Sequence, residues 1–292
     1  MIRVVSTVAA LENDAVASFA VFAEHSNFTA AAAQLRISQP ALHVKIAKLS
    51  AAVGMPLYER VGRGLRLTPA GEALAAYGRD QRARAEQLVG ELTGVTLPVT
   101  VVAGRGAFRW VLADGLAALA AGGAGLRVLV ADRPGALDAV QAGRADLAVV
   151  GFDPPPTSLP SRLLREDPHV LLMPAGHPLS RRRRLRVRDL AGLQLVAPPT
   201  GRPHRLALER SREQAGVSWQ VVAEADGWDL QAQFVAVGLG VAVVNGCVPP
   251  PPGTVAAPVI DLPRVGYWVT WRPGRGSWVA AAARTLTRAA TR

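Results

Sequence analysis

Cysteine and lysine are almost absent from this chain of 292 residues, which has one cysteine, Cys247, and two lysines, Lys45 and Lys48. A single cysteine excludes an internal disulfide and a cysteine-based metal cluster, and it makes the cytoplasm the expected compartment. No uninterrupted apolar run reaches the roughly 18 residues of a membrane-spanning helix. The apolar start, Met1 to Leu11, is short, carries only Arg3 and runs at once into Glu12 and Asp14. It is expected to be a leader to the first helix and not a signal peptide. A glycine-rich phosphate loop, a GxSxG elbow and an HExxH pair are all missing, and the five histidines are scattered. Nothing therefore carries an enzymatic reading, and neither a metal nor a cofactor is expected.

What is present is arginine and positive charge. The formal net charge is +11, which favours an anionic partner. Between Phe28 and Thr68 lie Arg36, Lys45, Lys48, Arg60, Arg63 and Arg66, against one acid, Glu59. A solvated basic face would carry the same charge. Here, however, the charge coincides with a second pattern.

That pattern runs from Phe28-Thr29 through the alanines Ala30 to Ala33 to Ser38-Gln39-Pro40-Ala41-Leu42. It reads as helix, tight turn and helix, the arrangement that lays a helix in the DNA major groove. Thr29 is expected to cap the first helix and Ser38 the second, with Pro40 in the first turn, where a missing N–H costs nothing. Leu42, Ile46 and Leu49 follow i, i+4, i+7 spacing and point inward. Pro40, Val44, Ala47 and Lys48 point away, with Gln39, His43 and Lys45 on the flanks; Gln39 suits adenine, Val44 a thymine methyl and His43 a purine acceptor, whereas Lys45 and Lys48 suit phosphates. Tyr58 to Thr68 reads as a β-wing whose arginines, Arg60, Arg63 and Arg66, reach the flanking backbone or minor groove.

With these residues in order, the chain resembles the LysR-type transcriptional regulators. The match covers Phe28-Thr29, Ala31-Ala32, Leu35, Ser38 to Leu42, Ile46, Leu49, Gly54, Pro56 to Arg60 and Leu67 to Gly71. Two departures, His43-Val44 where the family usually has Ser-Arg and Ser50 where it usually has Glu, bear on which operator is read. The resemblance implies an α/β protein with an N-terminal, all-α winged helix-turn-helix domain and a two-lobed effector domain of periplasmic-binding-protein type 2. The expected boundaries are 12–70 for the reading domain, 71–94 for a dimerisation helix and 97–292 for the effector domain. Lobe 1 would comprise 97–160 and 258–292, and lobe 2 would comprise 161–257. The implied partners are a pseudo-palindromic double-stranded operator, a small effector, one or three further copies of the chain, and RNA polymerase.

From Pro69 to Leu92 the sequence itself reads as one long helix. Leu74, Gln81 and Leu88 are spaced by seven, as are Gly78, Ala85 and Leu92, which makes a coiled-coil-like seam. Packing of this helix on its own domain is the competing reading.

Beyond Thr93, short apolar strands alternate with helices, as in parallel sheets with crossovers. A ligand between such lobes meets loops at strand ends. The candidates are Arg105, Gly106, Phe108 and Arg109 after the first strand, Pro199, Thr200 and Gly201 facing them, and Phe152, Trp228 and Asn245 as walls and a polar contact. The guanidiniums suggest an anionic effector, although arginines this frequent can also be solvated or locally paired. The run Arg181 to Arg188 is expected to be an exposed basic face. The rival readings are a solute-binding protein or enzyme of the same lobed fold with no specific operator, and a non-specific nucleoid-type binder.

Overall fold

The computed structural model describes residues 11, 14–62, 64–94, 98–151, 155–273 and 277–290. The leader, Arg63 and Phe152 lie outside the described residues. Three helices open the chain: α1 Asp14–His25, α2 Phe28–Leu35 and α3 Gln39–Val53. They enclose a core of Phe19, Phe22, Phe28, Leu42, Ile46, Leu49 and Leu57. Ala31 and Ala32 are buried, and their missing bulk lets the neighbouring helices close on α2.

Asn27, not Thr29, caps α2. Asn27 sits in an extended conformation, and its Oδ1 accepts from the N–H groups of Thr29 (2.8 Å) and Ala30 (3.2 Å). Thr29 already lies inside the first turn, so its own N–H is one of the donors being capped. Ser38 does cap α3, accepting from Ala41 N at 3.3 Å. The turn between them is made without glycine, Arg36 taking the left-handed conformation at φ 55°. A two-stranded wing follows, β1 Tyr58–Val61 antiparallel to β2 Gly64–Leu67.

Thr68 caps the long helix α4, Pro69–Thr93, by accepting from Gly71 N. At Gly71 a Cβ would collide with the Leu57 carbonyl oxygen, and at Gly78 it would stand 2.9 Å from the Val16 carbonyl oxygen. The seam therefore splits. Leu74 and Gly78 pack within the same head, whereas Leu88, Val89 and Leu92 are exposed. The Gln81 amide donates to Tyr77 Oη one turn back.

Lobe 1 is built on β3 Val99–Ala103, β4 Leu126–Val130 and β5 Leu147–Gly151, which run parallel, with β6 Ser161–Asp167 and β12 Val265–Thr270. Strand β12 is antiparallel to both β5 and β6, and the sheet order is β4-β3-β5-β12-β6. It is covered by α5 Arg105–Trp110, α6 Ala113–Ala121, α7 Arg133–Gln141 and α10 Ser277–Ala290.

Lobe 2 has three antiparallel strands, β7 His169–Pro174, β10 Ala242–Asn245 and β11 Thr254–Pro258, with β7 in the centre. The parallel pair β8 Gln194–Ala197 and β9 Gln220–Glu224 joins that group through the Leu195–Val241 bridge. Helices α8 Pro203–Ala215 and α9 Trp228–Ala236 complete the lobe.

The lobe boundaries move from their expected places. Residues 161–167 form β6 of the lobe 1 sheet, so the chain crosses at Pro168 and not at 161. Val259 and Leu262 belong to the lobe 2 core, so lobe 2 runs past 257. Both crossing segments read as plain connections in the sequence because β6 carries arginine at Arg162 and Arg165 and β11 is flanked by prolines, which hides strand alternation. Among the described residues no helix is long and apolar enough to cross a membrane.

Candidate DNA-reading head and effector cleft

On the outward face of α3, Gln39, Pro40, His43, Val44 and Lys48 are exposed, Val44 to 55%. Gln39 Oε1 accepts from the Thr29 hydroxyl at 3.2 Å, which ties the reading helix to α2 and leaves the Gln39 amide NH₂ for an outside acceptor. The Ser38 hydroxyl is engaged in capping and serves the backbone. The His43 ring lies flat on Phe28, with centroids 3.6 Å apart and planes 14° off parallel. One face of the imidazole is thus covered, and its edge is what remains to bond a base.

Lys45 departs from expectation. Its ammonium pairs with Asp14 at 2.7 Å and donates to Ser18 Oγ at 3.3 Å, so it fastens α3 to α1 instead of facing a phosphate. The position flanks the buried stripe, and α1 supplies the carboxylate. Arg66 is likewise engaged, bonding Glu59 directly across the wing at 2.7 and 3.0 Å. Lys48 and Arg60 remain exposed, with no carboxylate partner among the described residues.

The cleft between the lobes is closed by aromatic side chains. Trp110, at the end of α5 in lobe 1, packs against the core of lobe 2. Trp228, from lobe 2, packs against the cores of both lobes. Gly106 lies between them, where a Cβ would stand 3.3 Å from Trp110 and 3.5 Å from Trp228. Arg105 is exposed at the start of α5, and Arg109 lies 5.5 Å over the Trp110 ring. Phe108 turns into the lobe 1 core and is no cleft wall.

Opposite, the loop carrying Pro199, Thr200 and Gly201 is anchored to its own lobe. The Thr200 hydroxyl donates to Glu224, Arg202 pairs with Asp226, and Arg205 donates to Pro198 O. Gly201, at φ 84°, makes the turn that a side chain would strain. Asn245 is fully buried and accepts from Cys247 N at 2.8 Å, so it organises the crossover and does not line an open cleft.

The structure adds residues that the scattered histidines concealed. His169 and His204, 2% and 4% exposed, stack at 5.0 Å, and Trp228 Nε1 donates to His204 Nδ1 at 3.3 Å. Burial, with His169 as neighbour, pushes His204 down to about 3. Burial also lowers His169, whose Nδ1 bonds Pro263 O. Both rings are neutral at physiological pH. Cys247 is pushed up to about 12, first by burial and then by Asp167, so its thiol stays protonated. Among the described residues no group of three or more His, Cys, Asp or Glu side chains could hold a metal.

The profile of the bacterial regulatory helix-turn-helix proteins of the lysR family matches residues 14–72, and that of the LysR substrate binding domain matches residues 99–292. The chain belongs to the LysR family of transcriptional regulators. This LysR-type regulator is 32% identical over 288 residues to a probable hydrogen peroxide-inducible genes activator of Streptomyces viridosporus, covering 92% of this chain and 86% of the relative. It is 28% identical over 232 residues to a RuBisCO operon transcriptional regulator of Acidithiobacillus ferrooxidans, covering 78% and 75%. Its fold is similar to that of a full-length OxyR variant from Pseudomonas aeruginosa, with a TM-score of 0.75 at 20% identity over 94% and 93% of the two chains. As a member of the family it is a DNA-binding regulator, not an enzyme. Its partners are operator DNA, a small effector and further copies of itself.

Proposed function

We propose that this regulator reads its operator in the cytoplasm through Gln39, Val44 and the edge of His43, with Lys48, Arg60 and Arg63 on phosphates. Thr29, Ser38, Lys45 and Arg66 support that surface through hydrogen bonds and ion pairs within the head, and Pro40 lies exposed beside Gln39 on it. The carrying observation is the exposed face of α3, which combines an apolar side chain, an amide and a cation on a helix whose other side is locked into the head. Leu88, Val89 and Leu92 offer the apolar strip for pairing with a second copy, which sets two heads on successive half-sites. Footprinting on the DNA upstream of the gene tests this. Protection of one pseudo-palindromic site is expected, and equal affinity for random DNA at physiological salt overturns it.

The effector we infer is a small anion with a flat apolar part, met by Arg105 and Arg109 at the mouth and by Trp110 and Trp228 inside. Binding would have to displace or stack on these indoles, and so would shift the relation between the lobes. Saturable calorimetric binding of a carboxylate that is weakened by Arg105→Ala supports it, and unchanged affinity in that variant removes it. The names of the two relatives point to two settings, hydrogen peroxide induction and control of a RuBisCO operon. Thiol-based peroxide sensing does not fit here, because the lone Cys247 is largely buried and protonated and has no second cysteine to pair with.

A further inference from the structure

The run from Arg181 to Arg188 takes no part in the reading head or the cleft, and its geometry differs from that of a loose charged loop. Leu185 and Val187 are 0% and 3% exposed, while Arg184, Arg186 and Arg188 alternate with them outside. The backbone is pinned at four of its residues. Arg182 N donates to Leu179 O, Leu185 N to Pro258 O, Arg186 N to Asp189 Oδ2 and Val187 N to Asp261 Oδ1, and Leu185 bridges Val259. Arg182 is paired with Asp189, but Arg181, Arg183, Arg184, Arg186 and Arg188 have no carboxylate partner among the described residues. Several other arginines of the regulatory domain are paired with acids, as in Arg144–Asp138, Arg165–Asp167, Arg202–Asp226 and Arg205–Glu209.

We propose that this ridge on lobe 2 is a second, sequence-independent DNA contact, which grips the phosphate backbone of duplex flanking the operator. Arg184 and Arg186 flank Leu185 in the short extended stretch and so stand about 6–7 Å apart, while Arg181 and Arg188 sit in the 3-10 turns Pro178–Arg181 and Val187–Leu190 at either end; guanidinium forks suit phosphate oxygens bidentately. The ridge presents mainly charge. Its apolar residues, Leu185, Val187 and Leu190, all face inward. Protein interfaces centre on several desolvated apolar or aromatic anchors, whereas a phosphate backbone is bound by charge, which here outnumbers the single exposed Ile260 beside Leu185. The ridge adds affinity and wraps DNA, but it carries no base preference.

The test uses the full chain on two duplexes, one limited to the footprinted operator and one extended on both sides with random sequence. The variant replaces Arg183, Arg184, Arg186 and Arg188 by alanine. On the extended duplex the slope of log affinity against log salt should shrink by about 3–4, at roughly 0.9 for each phosphate no longer neutralised. On the short duplex it should not change. The matching Arg→Lys variant should keep most of the slope, and the single Arg183→Glu should reduce it by at least about 0.9 even if the quadruple variant folds poorly. Unchanged slopes on both duplexes overturn the proposal. So does an unchanged slope with abolished transcription in a purified polymerase assay, which would assign the ridge to an acidic protein surface.

Discussion

Lys45 and Lys48 are the only lysines in the chain, three residues apart on one helix, yet they face different worlds. Lys45 closes onto Asp14, and Lys48 looks outward. Lys48→Ala should therefore flatten the salt dependence of operator binding by about 0.9 in the log–log slope, while Lys45→Ala leaves the slope unaltered and lowers stability by about 0–1 kcal/mol. Filter binding at several salt concentrations and a melting curve for each variant check this, and equal slope changes in both refute it. His204 acts on stability. Its folded value, about 3, lies below the unfolded 6.5, so the unfolded chain binds the extra proton between these values. Its contribution is fully present above pH 6.5 and is lost as pH falls toward 3. Denaturant titrations of His204→Gln should show a shallower loss of stability than the parent as pH falls through that window.

At the scale of elements, α4 has two halves with different duties. Leu74→Ala should cost about 2–5 kcal/mol by opening a cavity in the head, while Leu92→Asp should leave the head folded and weaken self-association. Sedimentation velocity beside thermal melts separates the two, and an intact oligomer in Leu92→Asp would deny the exposed half any pairing role. The heptad spacing marks both halves alike, because periodicity shows that a side is apolar and not which neighbour covers it. Helices α8 and α3 were legible from their ends, where Pro203 and Gly216, and Ser38 and Gly54, punctuate the chain. Strands β6 and β11 were not, since their pairing is non-local and their composition belongs to a connection. The cleft was legible as a set of loops, but the exchange of Trp110 and Trp228 between lobes depends on tertiary contacts that no spacing encodes.

At the scale of the molecule, the head and lobe 1 are joined side by side as well as end to end. Arg79 Nε donates to Ala142 O, Asp80 pairs with Arg272, and Arg272 also donates to Gln141 O at 3.2 Å. The Asp80 and Arg272 side chains are only 18% and 17% exposed, so this clasp is shielded from solvent and little weakened by salt. Asp80→Asn should keep operator affinity within a few-fold but reduce the change in DNA bend that effector produces. Energy transfer between duplex ends, with and without effector, reads this directly, and an undiminished bend response would show that the clasp transmits nothing.

The same clasp bears on how such regulators can be recombined. Gly78 holds α4 tightly to α1, and the next two residues hold it to lobe 1. A chimaera that fuses a foreign reading head to this effector domain at the end of α4 changes residues 79 and 80 while keeping Ala142 and Arg272. Compatibility between exchanged parts is then decided in the middle of a helix, far from the seam where the genes are cut. Moving the fusion point upstream of Gly71 would keep the native clasp but set a foreign wing against Gly71, so the workable grafts are those whose donor brings its own acceptor for Arg272.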